Sequence, residues 1–118
     1  MARILIVDDS QPMRQLVEET LLKGNHEVVS AENGEDGLIQ YSRQKFDLVI
    51  TDINMPLMDG YGLIQSIREK EKEIPILALT TESEDHKRNS GEQIGVDGWI
   101  VKPFKPAQFL AIIKQVLS

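Results

Sequence analysis

The sequence predicts a single α/β domain, a doubly wound five-stranded parallel sheet with five helices. Three observations support this fold class: a length of 118 residues, short apolar runs that alternate with stretches of helical spacing, and turn residues between them. Strands of a parallel sheet are covered on both faces by the helices that connect them, so they form continuous apolar runs. We expect residues 1–118 to be one domain without an attached output domain.

Five short runs rich in isoleucine, valine and leucine have the length and composition of buried strands. Longer stretches of helical spacing separate them, so neighbouring strands are expected to run parallel. The runs lie at residues 4–7, 28–29 with their neighbours, 48–50, 76–79 and 99–101.

The stretches between the strands place apolar residues three and four positions apart, which is the spacing of a helix with one buried face. Ser10 and Pro12 are suited to begin the first helix, Gly24 and Asn25 to end it, and Pro106 to open the last. The predicted stripes are Met13, Leu16, Val17, Thr20 and Leu21 in the first helix, Leu38 and Tyr41 after the turn signal Asn33-Gly34, then Gly60, Leu63, Ile64 and Ile67, and finally Phe109, Ile112, Ile113 and Val116.

Charge and composition exclude several classes of function. A net charge of -6 argues against sequence-independent binding to nucleic acid or to an anionic membrane, because both need a basic surface. The absence of cysteine excludes disulfides and thiolate metal sites. The apolar run near the amino terminus is too short for a signal peptide, and no later run could span a bilayer. We therefore expect a cytoplasmic protein without nucleic-acid or membrane partners.

Polar residues stand at the ends of four of the five predicted strands. Asp8 and Asp9 follow the first strand, Asp52 the third, Thr80 the fourth and Lys102 the fifth. Each alone has an ordinary explanation, since Asp and Thr cap helices or begin turns and lysine is normally a surface residue. Together they would meet beyond the carboxyl ends of the strands, where open parallel sheets bind their ligands.

The three aspartates predict a cation site. Carboxylates about 5 Å apart repel each other by roughly 3 kcal/mol at an effective dielectric constant of about 20, so a bound cation would offset a large cost. A few carboxylates suit Mg²⁺, which keeps positions open for phosphate oxygens. Asp52 is then a candidate nucleophile that accepts a phosphoryl group, while Thr80 and Lys102 are suited to hold the phosphoryl oxygens.

Four stretches of the chain, ILIVDDS, DLVITDINMPLMDG, PILALTTE and GVDGWIVKPF, resemble in order and spacing the signature motifs of response-regulator receiver domains. The resemblance covers essentially the whole chain and implies a flavodoxin-like sheet with strand order 2-1-3-4-5. It implies that Asp52 is the phosphoacceptor, which takes a phosphoryl group from the phosphohistidine of a sensor kinase. The other implied roles are magnesium binding by Asp8, Asp9, Asp52 and the backbone carbonyl of Asn54, phosphoryl contacts by Thr80 and Lys102, and a cis bond between Lys102 and Pro103.

The resemblance also implies a two-state switch and the absence of any enzyme activity beyond self-phosphorylation and autodephosphorylation. Thr80 would move toward the phosphoryl group and Trp99 would turn inward, although Tyr or Phe is commoner than Trp at that position in the family. Asn54 and Glu82 resemble the pair that tunes rapid dephosphorylation in chemotaxis receivers. The expected protein is a monomer that signals through the face formed by the fourth helix, the fifth strand and the last helix, with a flagellar motor switch protein as its target.

The segment 82–93, expected to be the fourth helix, has no large apolar residue to anchor it. Gly91 within a helix would cost about 1 kcal/mol relative to alanine. Either Ser90 and Gly91 allow close backbone packing, or the segment becomes ordered only with a partner or on phosphorylation. The second account is favoured because elements that move in switching are among the least stable parts of a protein.

Three other functions use similar residues. A phosphorelay intermediate would pass its phosphoryl group on to a histidine phosphotransfer domain. An aspartate-nucleophile phosphohydrolase shares the strand-end aspartate and the metal, but it uses a second aspartate where this chain has Asn54. A flavin-binding protein could use the same edge of the sheet, but three carboxylates there would repel the flavin phosphate.

Overall fold

The computed structural model describes residues 1–55, 57–81 and 95–118. Within these ranges lie four helices rather than the five predicted, and the expected helix at 82–93 lies outside them. The elements are β1 (Arg3–Val7), α1 (Gln11–Lys23), β2 (Glu27–Ala31), α2 (Gly34–Arg43), β3 (Leu48–Asp52), α3 (Gly60–Lys70), β4 (Ile76–Thr81), β5 (Gly98–Lys102) and α4 (Pro106–Leu117).

The five strands form one parallel sheet in the order β2-β1-β3-β4-β5, which confirms the predicted topology. Alternate residues of a strand point to opposite faces, so each inner strand contributes side chains to two hydrophobic cores. Ile4 and Ile6 belong to one core with Phe109 of α4, whereas Leu5 and Val7 belong to the other. This double burial explains why the strands are continuous apolar runs.

The predicted helix boundaries rest on identifiable caps. Ser10 precedes α1, and its hydroxyl oxygen accepts a hydrogen bond from the Met13 N–H at 3.3 Å. Asn25 follows α1 with a φ of 65°, a left-handed conformation that asparagine tolerates. Asn33, which was expected to form a turn, caps α2 by accepting from the Asp36 N–H at 2.8 Å.

One position of the predicted apolar stripe on α1 is wrong. Leu16 is 39% exposed, whereas Val17 and Leu21 are fully buried. Leu16 and Val17 are separated by about 100° around the helix, so both can be buried only where the contact surface is wide.

Among the described residues, no helix is both long enough and apolar enough to cross a membrane.

Candidate functional site

The carboxyl ends of β1 and β3 bring three aspartates together. Val7 pairs with Thr51 in the parallel register, so the residues that follow them, Asp8 and Asp52, lie side by side. One carboxylate oxygen from each of Asp8, Asp9 and Asp52 lies within 4.8 Å of the other two. Asp8 is fully buried and Asp52 is 6% exposed, whereas Asp9 is exposed. The cluster is therefore a deep acidic site that is open to solvent at Asp9.

Lys102 joins this cluster from the edge of the sheet. It is the last residue of β5, and its Nζ atom lies 3.1 Å from Asp8 Oδ2 and 3.4 Å from Asp52 Oδ1. The Lys102-Pro103 peptide bond is cis, as the sequence motif implied. One lysine beside three carboxylates leaves the cluster with an excess of negative charge when all four groups are ionised.

Burial raises the pKa of Asp52 to about 6, and the neighbouring Asp8 carboxylate acts in the same direction. Lys102 and the Ile53 N–H, which donates to Asp52 Oδ1 at 2.8 Å, oppose this rise without cancelling it. Burial lowers the pKa of Lys102, but the carboxylates of Asp52 and Asp8 outweigh burial and raise it overall. The ionised Asp52 carboxylate is thus short of positive charge, which a cation would supply.

Hydrogen bonds hold both the backbone and the side chain of Asp8. Its N–H donates to the Ala31 carbonyl at 3.1 Å, and its Oδ1 atom accepts from the Ser10 N–H at 2.9 Å. Its carbonyl oxygen accepts from Arg14 Nη1 at 2.6 Å. Arg14 was not predicted as part of the site, although a cation in the first turn of α1 opposes the helix dipole and could have marked it. These contacts fix Asp8 before any ligand binds.

The remaining predicted site residues lie around this cluster or outside the described ranges. Thr80 is buried in β4, one residue beyond Leu79, which pairs with Asp52. Asn54 is exposed in the loop after β3. Trp99 is partly buried and packs against the core that contains Val7. The predicted tuning residue Glu82 lies outside the residues that the structure describes.

The donor set of the acidic cluster fits a magnesium ion. Its ligand atoms are carboxylate oxygens, which hard divalent cations prefer. The exposed position of Asp9 leaves room for water and phosphate oxygens at the open side, as Mg²⁺ sites require.

The fold and the strand-end cluster define the class of protein to which the chain belongs, the response regulator receiver domain family. The family model matches residues 4–114. Receiver domains are phosphoacceptors in two-component systems, in which they interact with a histidine kinase and a downstream target. Receiver domains also generally bind Mg²⁺ at an acidic pocket of this kind.

Particular relatives come from different kinds of regulator. The chain is 40% identical to the chemotaxis protein CheY4 of Vibrio cholerae, with a TM-score of 0.93 and 99% of each chain covered. It is 42% identical to ycf27 of Porphyra purpurea, named a probable transcriptional regulator, and 98% of this chain matches 47% of that protein. ResD of Bacillus subtilis (strain 168), a transcriptional regulatory protein, is 36% identical over 98% of this chain and 48% of its own length. The chain thus spans about half the length of the curated relatives it matches.

Proposed function

We propose that this receiver domain is a phosphorylation-activated switch whose phosphoacceptor is Asp52. The observation that carries the proposal is the position of the Asp52 carboxylate, buried at the end of β3 with Lys102 Nζ at 3.4 Å and two further carboxylates beside it. Both the Ile53 N–H and Lys102 contact Asp52 Oδ1, and they fix the orientation of the nucleophile. The fold supplies this geometry before a phosphodonor arrives.

The reaction transfers a phosphoryl group from the phosphohistidine of a sensor kinase to a carboxylate oxygen of Asp52. The new oxygen–phosphorus bond forms as the nitrogen–phosphorus bond breaks, and the histidine imidazole leaves with the bonding electrons. Lys102 is close enough to contact the phosphoryl oxygens, and Thr80 supplies a hydroxyl donor from the neighbouring strand. The same aspartyl phosphate is lost by hydrolysis, for which Asn54 and Glu82 are the proposed tuning residues.

Asp8, Asp9, Asp52 and the Asn54 carbonyl would hold the magnesium ion. When bound, Mg²⁺ neutralises charge that develops on the phosphoryl oxygens. The carboxylate of Asp8, whose Oδ1 atom accepts from the Ser10 N–H, and the exposed carboxylate of Asp9 would provide oxygen ligands beside Asp52. Lys102 is the cationic group that the protein itself supplies beside Asp52.

We infer that the phosphorylated form signals in chemotaxis, through protein contacts that involve β5 and α4. Residues 82–93, expected to complete this signalling face, lie outside the residues that the structure describes. Thr80 and Trp99 are the proposed switch residues, and the flagellar motor switch is the proposed target in the cytoplasm. The match to CheY4 over 99% of both chains supports this output. The transcriptional regulators favour a second candidate, in which this domain controls a regulator of gene expression.

The phosphoacceptor is tested by intact-mass spectrometry after incubation with Mg²⁺ and a small phosphodonor such as acetyl phosphate. Wild type is expected to gain one phosphoryl group, and Asp52→Asn to gain none. The matched control is Asp59→Asn, which changes an exposed aspartate that caps α3, and it should still form the adduct. An unmodified wild type, or an adduct that persists in Asp52→Asn, would contradict the proposal.

The output is tested with the beryllofluoride-activated protein, because beryllofluoride mimics an aspartyl phosphate. Binding to a flagellar motor switch protein that increases on activation would support chemotaxis. Absence of such binding, together with phosphoryl transfer from Asp52 to a histidine phosphotransfer domain faster than hydrolysis, would favour the relay instead.

A further inference from the structure

We propose that Gly34, on α2, is a positioning residue for the loop that follows the phosphoacceptor, of which the structure describes residues 53–55 and 57–59. This inference deepens the proposed function, since it rests on magnesium binding at Asp8, Asp9 and Asp52. Helix α2 contributes none of the site residues discussed above, but its first residue meets the backbone of that loop. The Gly34 N–H donates to the Met58 carbonyl at 3.0 Å.

The approach of the two backbones at this point requires glycine. A Cβ atom at position 34 would lie 2.2 Å from the Met58 carbonyl oxygen and 2.8 Å from its carbonyl carbon. Both atoms belong to the backbone, so no rotation of a side chain can relieve the collision. Any larger residue must therefore displace α2 or the loop.

The same loop is closed at its base by a second glycine. Gly60 donates its N–H to the Ile53 carbonyl at 2.9 Å, and a Cβ there would lie 2.2 Å from the Asp52 carbonyl oxygen. The loop is thus fixed where it begins and ends, and Gly34 joins its Met58 carbonyl to a different element. Asn54, whose carbonyl is the proposed fourth metal ligand, lies between these fixed points.

The pair Asn33-Gly34 indicates a turn, but in the structure Gly34 is a helical residue, and helix propensity does not favour glycine. Gly34 is the first residue of α2, and glycine is the least favourable helical residue after proline. The first N–H groups of a helix have no partner within the helix. At Gly34 that N–H donates to the Met58 carbonyl. Only a residue without a side chain allows the loop to come close enough for this hydrogen bond.

The first test compares two glycine variants of the same helix by titrating each with MgCl₂ and following the amide chemical shifts of Asp9 and Asn54. Gly34→Ala is expected to raise the magnesium dissociation constant about tenfold, the usual effect of losing a contact that orients metal ligands. Gly37→Ala is the matched control, because its Cβ would meet the Val7 side chain at 2.9 Å rather than the loop. It is expected to be destabilised and to bind Mg²⁺ within about twofold of wild type.

A magnesium affinity of Gly34→Ala equal to that of wild type would overturn the inference, as would an equal loss in Gly37→Ala. Failure of wild type to bind Mg²⁺ would instead contradict the metal site itself. The two failures are therefore distinguishable.

The second test needs no variant and so does not depend on whether Gly34→Ala folds. Coupling between two sites is reciprocal, so a contact that positions the metal ligands must itself be stabilised by the metal. Saturating Mg²⁺ should slow hydrogen exchange at the Gly34 amide by more than at the Gly37 amide, which donates to the carbonyl of the cap residue Asn33 at 2.9 Å. Equal slowing at both amides would overturn the inference.

Discussion

The two ends of the sheet use carboxylates in opposite ways. At the amino end, Asp97 Oδ2 accepts from the Ile76 N–H at 2.8 Å and pairs with Arg68 Nη2 at 3.0 Å. At the carboxyl end, Asp8 and Asp52 are buried beside each other and share Lys102. Asp97 at the amino end stabilises the fold, whereas the carboxyl end holds like charges close together, a repulsion that the proposed magnesium ion would offset.

The amino end depends on Arg68, whose role could not be deduced from the sequence. Its guanidinium also donates to the Ile74 carbonyl at 2.7 Å and to the Gly95 carbonyl at 2.7 and 3.0 Å. One side chain of α3 thereby fixes the chain segments that lead into β4 and β5. The two ends therefore differ in their effect on stability: carboxylate contacts stabilise the fold at the amino end, and carboxylate repulsion opposes folding at the carboxyl end.

The largest expected effect is at the amino end. Arg68→Met should lower the free energy of unfolding by about 3 kcal/mol, because it removes the charged donor of three part-buried hydrogen bonds to backbone carbonyls and the ion-pair partner of Asp97. Urea denaturation measures the loss, and Arg43→Met, at an exposed arginine of α2, should cost less than about 0.5 kcal/mol. Similar losses in both variants would show that the Arg68 contacts do not stabilise the fold.

The next largest effect is at the carboxyl end and has the opposite sign. Without metal and near neutral pH, Asp52→Asn should raise the free energy of unfolding by about 2 kcal/mol, because the pKa of Asp52 is raised to about 6. Between about pH 4 and that pKa, native Asp52 holds a proton that the unfolded chain has lost, so wild-type stability falls as pH rises.

The contribution of Asp52 to the free energy of unfolding no longer changes with pH above the folded pKa of this carboxyl. Asp52→Asn lacks this pH dependence. Urea denaturation in EDTA at several pH values measures how the free energy of unfolding of wild type and of Asp52→Asn changes with pH. Parallel pH profiles for the two proteins would mean that the burial of Asp52 carries no electrostatic cost.

Magnesium binding should offset part of the electrostatic cost of burying the ionised Asp52 carboxylate. At about ten times its dissociation constant, Mg²⁺ should raise the wild-type free energy of unfolding by about 1.4 kcal/mol. Asp9→Asn should respond much less, while Asp97→Asn, at the other end of the sheet, should respond as wild type does. A full magnesium response in Asp9→Asn would remove that carboxylate from the ligand set.

The smallest expected effect concerns Leu57 in the loop after Asp52. Leu57 is 75% exposed and has a φ of 66°, a left-handed conformation that costs a leucine roughly 1 kcal/mol. Leu57→Asn should therefore raise the melting temperature slightly, whereas Leu22→Asn, at an exposed leucine of α1, should not. A lower melting temperature for Leu57→Asn would show that the leucine side chain contributes more than its backbone strain costs.

Strand positions and the acidic cluster were predictable because both depend on local patterns. The runs at residues 4–7 and 48–50 are apolar on both faces, and that pattern predicts inner strands of a parallel sheet. Parallel strands end at the same edge, so Asp8 and Asp52 had to converge once the fold class was known. The exposure of Leu16 was not predictable, since it depends on the width of the surface that α1 covers.

Contacts between distant segments were also beyond the sequence. The sequence around Gly34 indicates a turn, and nothing in that sequence predicts a hydrogen bond from Gly34 to the Met58 carbonyl. Arg14 and Arg68 look like ordinary surface residues of helices, yet each donates to backbone carbonyls outside its own helix. Side chains this long can reach many places, and only the packing of the elements selects one.

The sequence by itself determined the α/β class and the polar residues at the strand ends, because apolar periodicity and strand-end position are properties of short segments. Only the tertiary structure decided that Lys102 contacts Asp8, a residue 94 positions away, and that the pKa of Asp52 is raised. Both depend on distances and burial that arise when the strands assemble, and electrostatic energies vary steeply with both quantities.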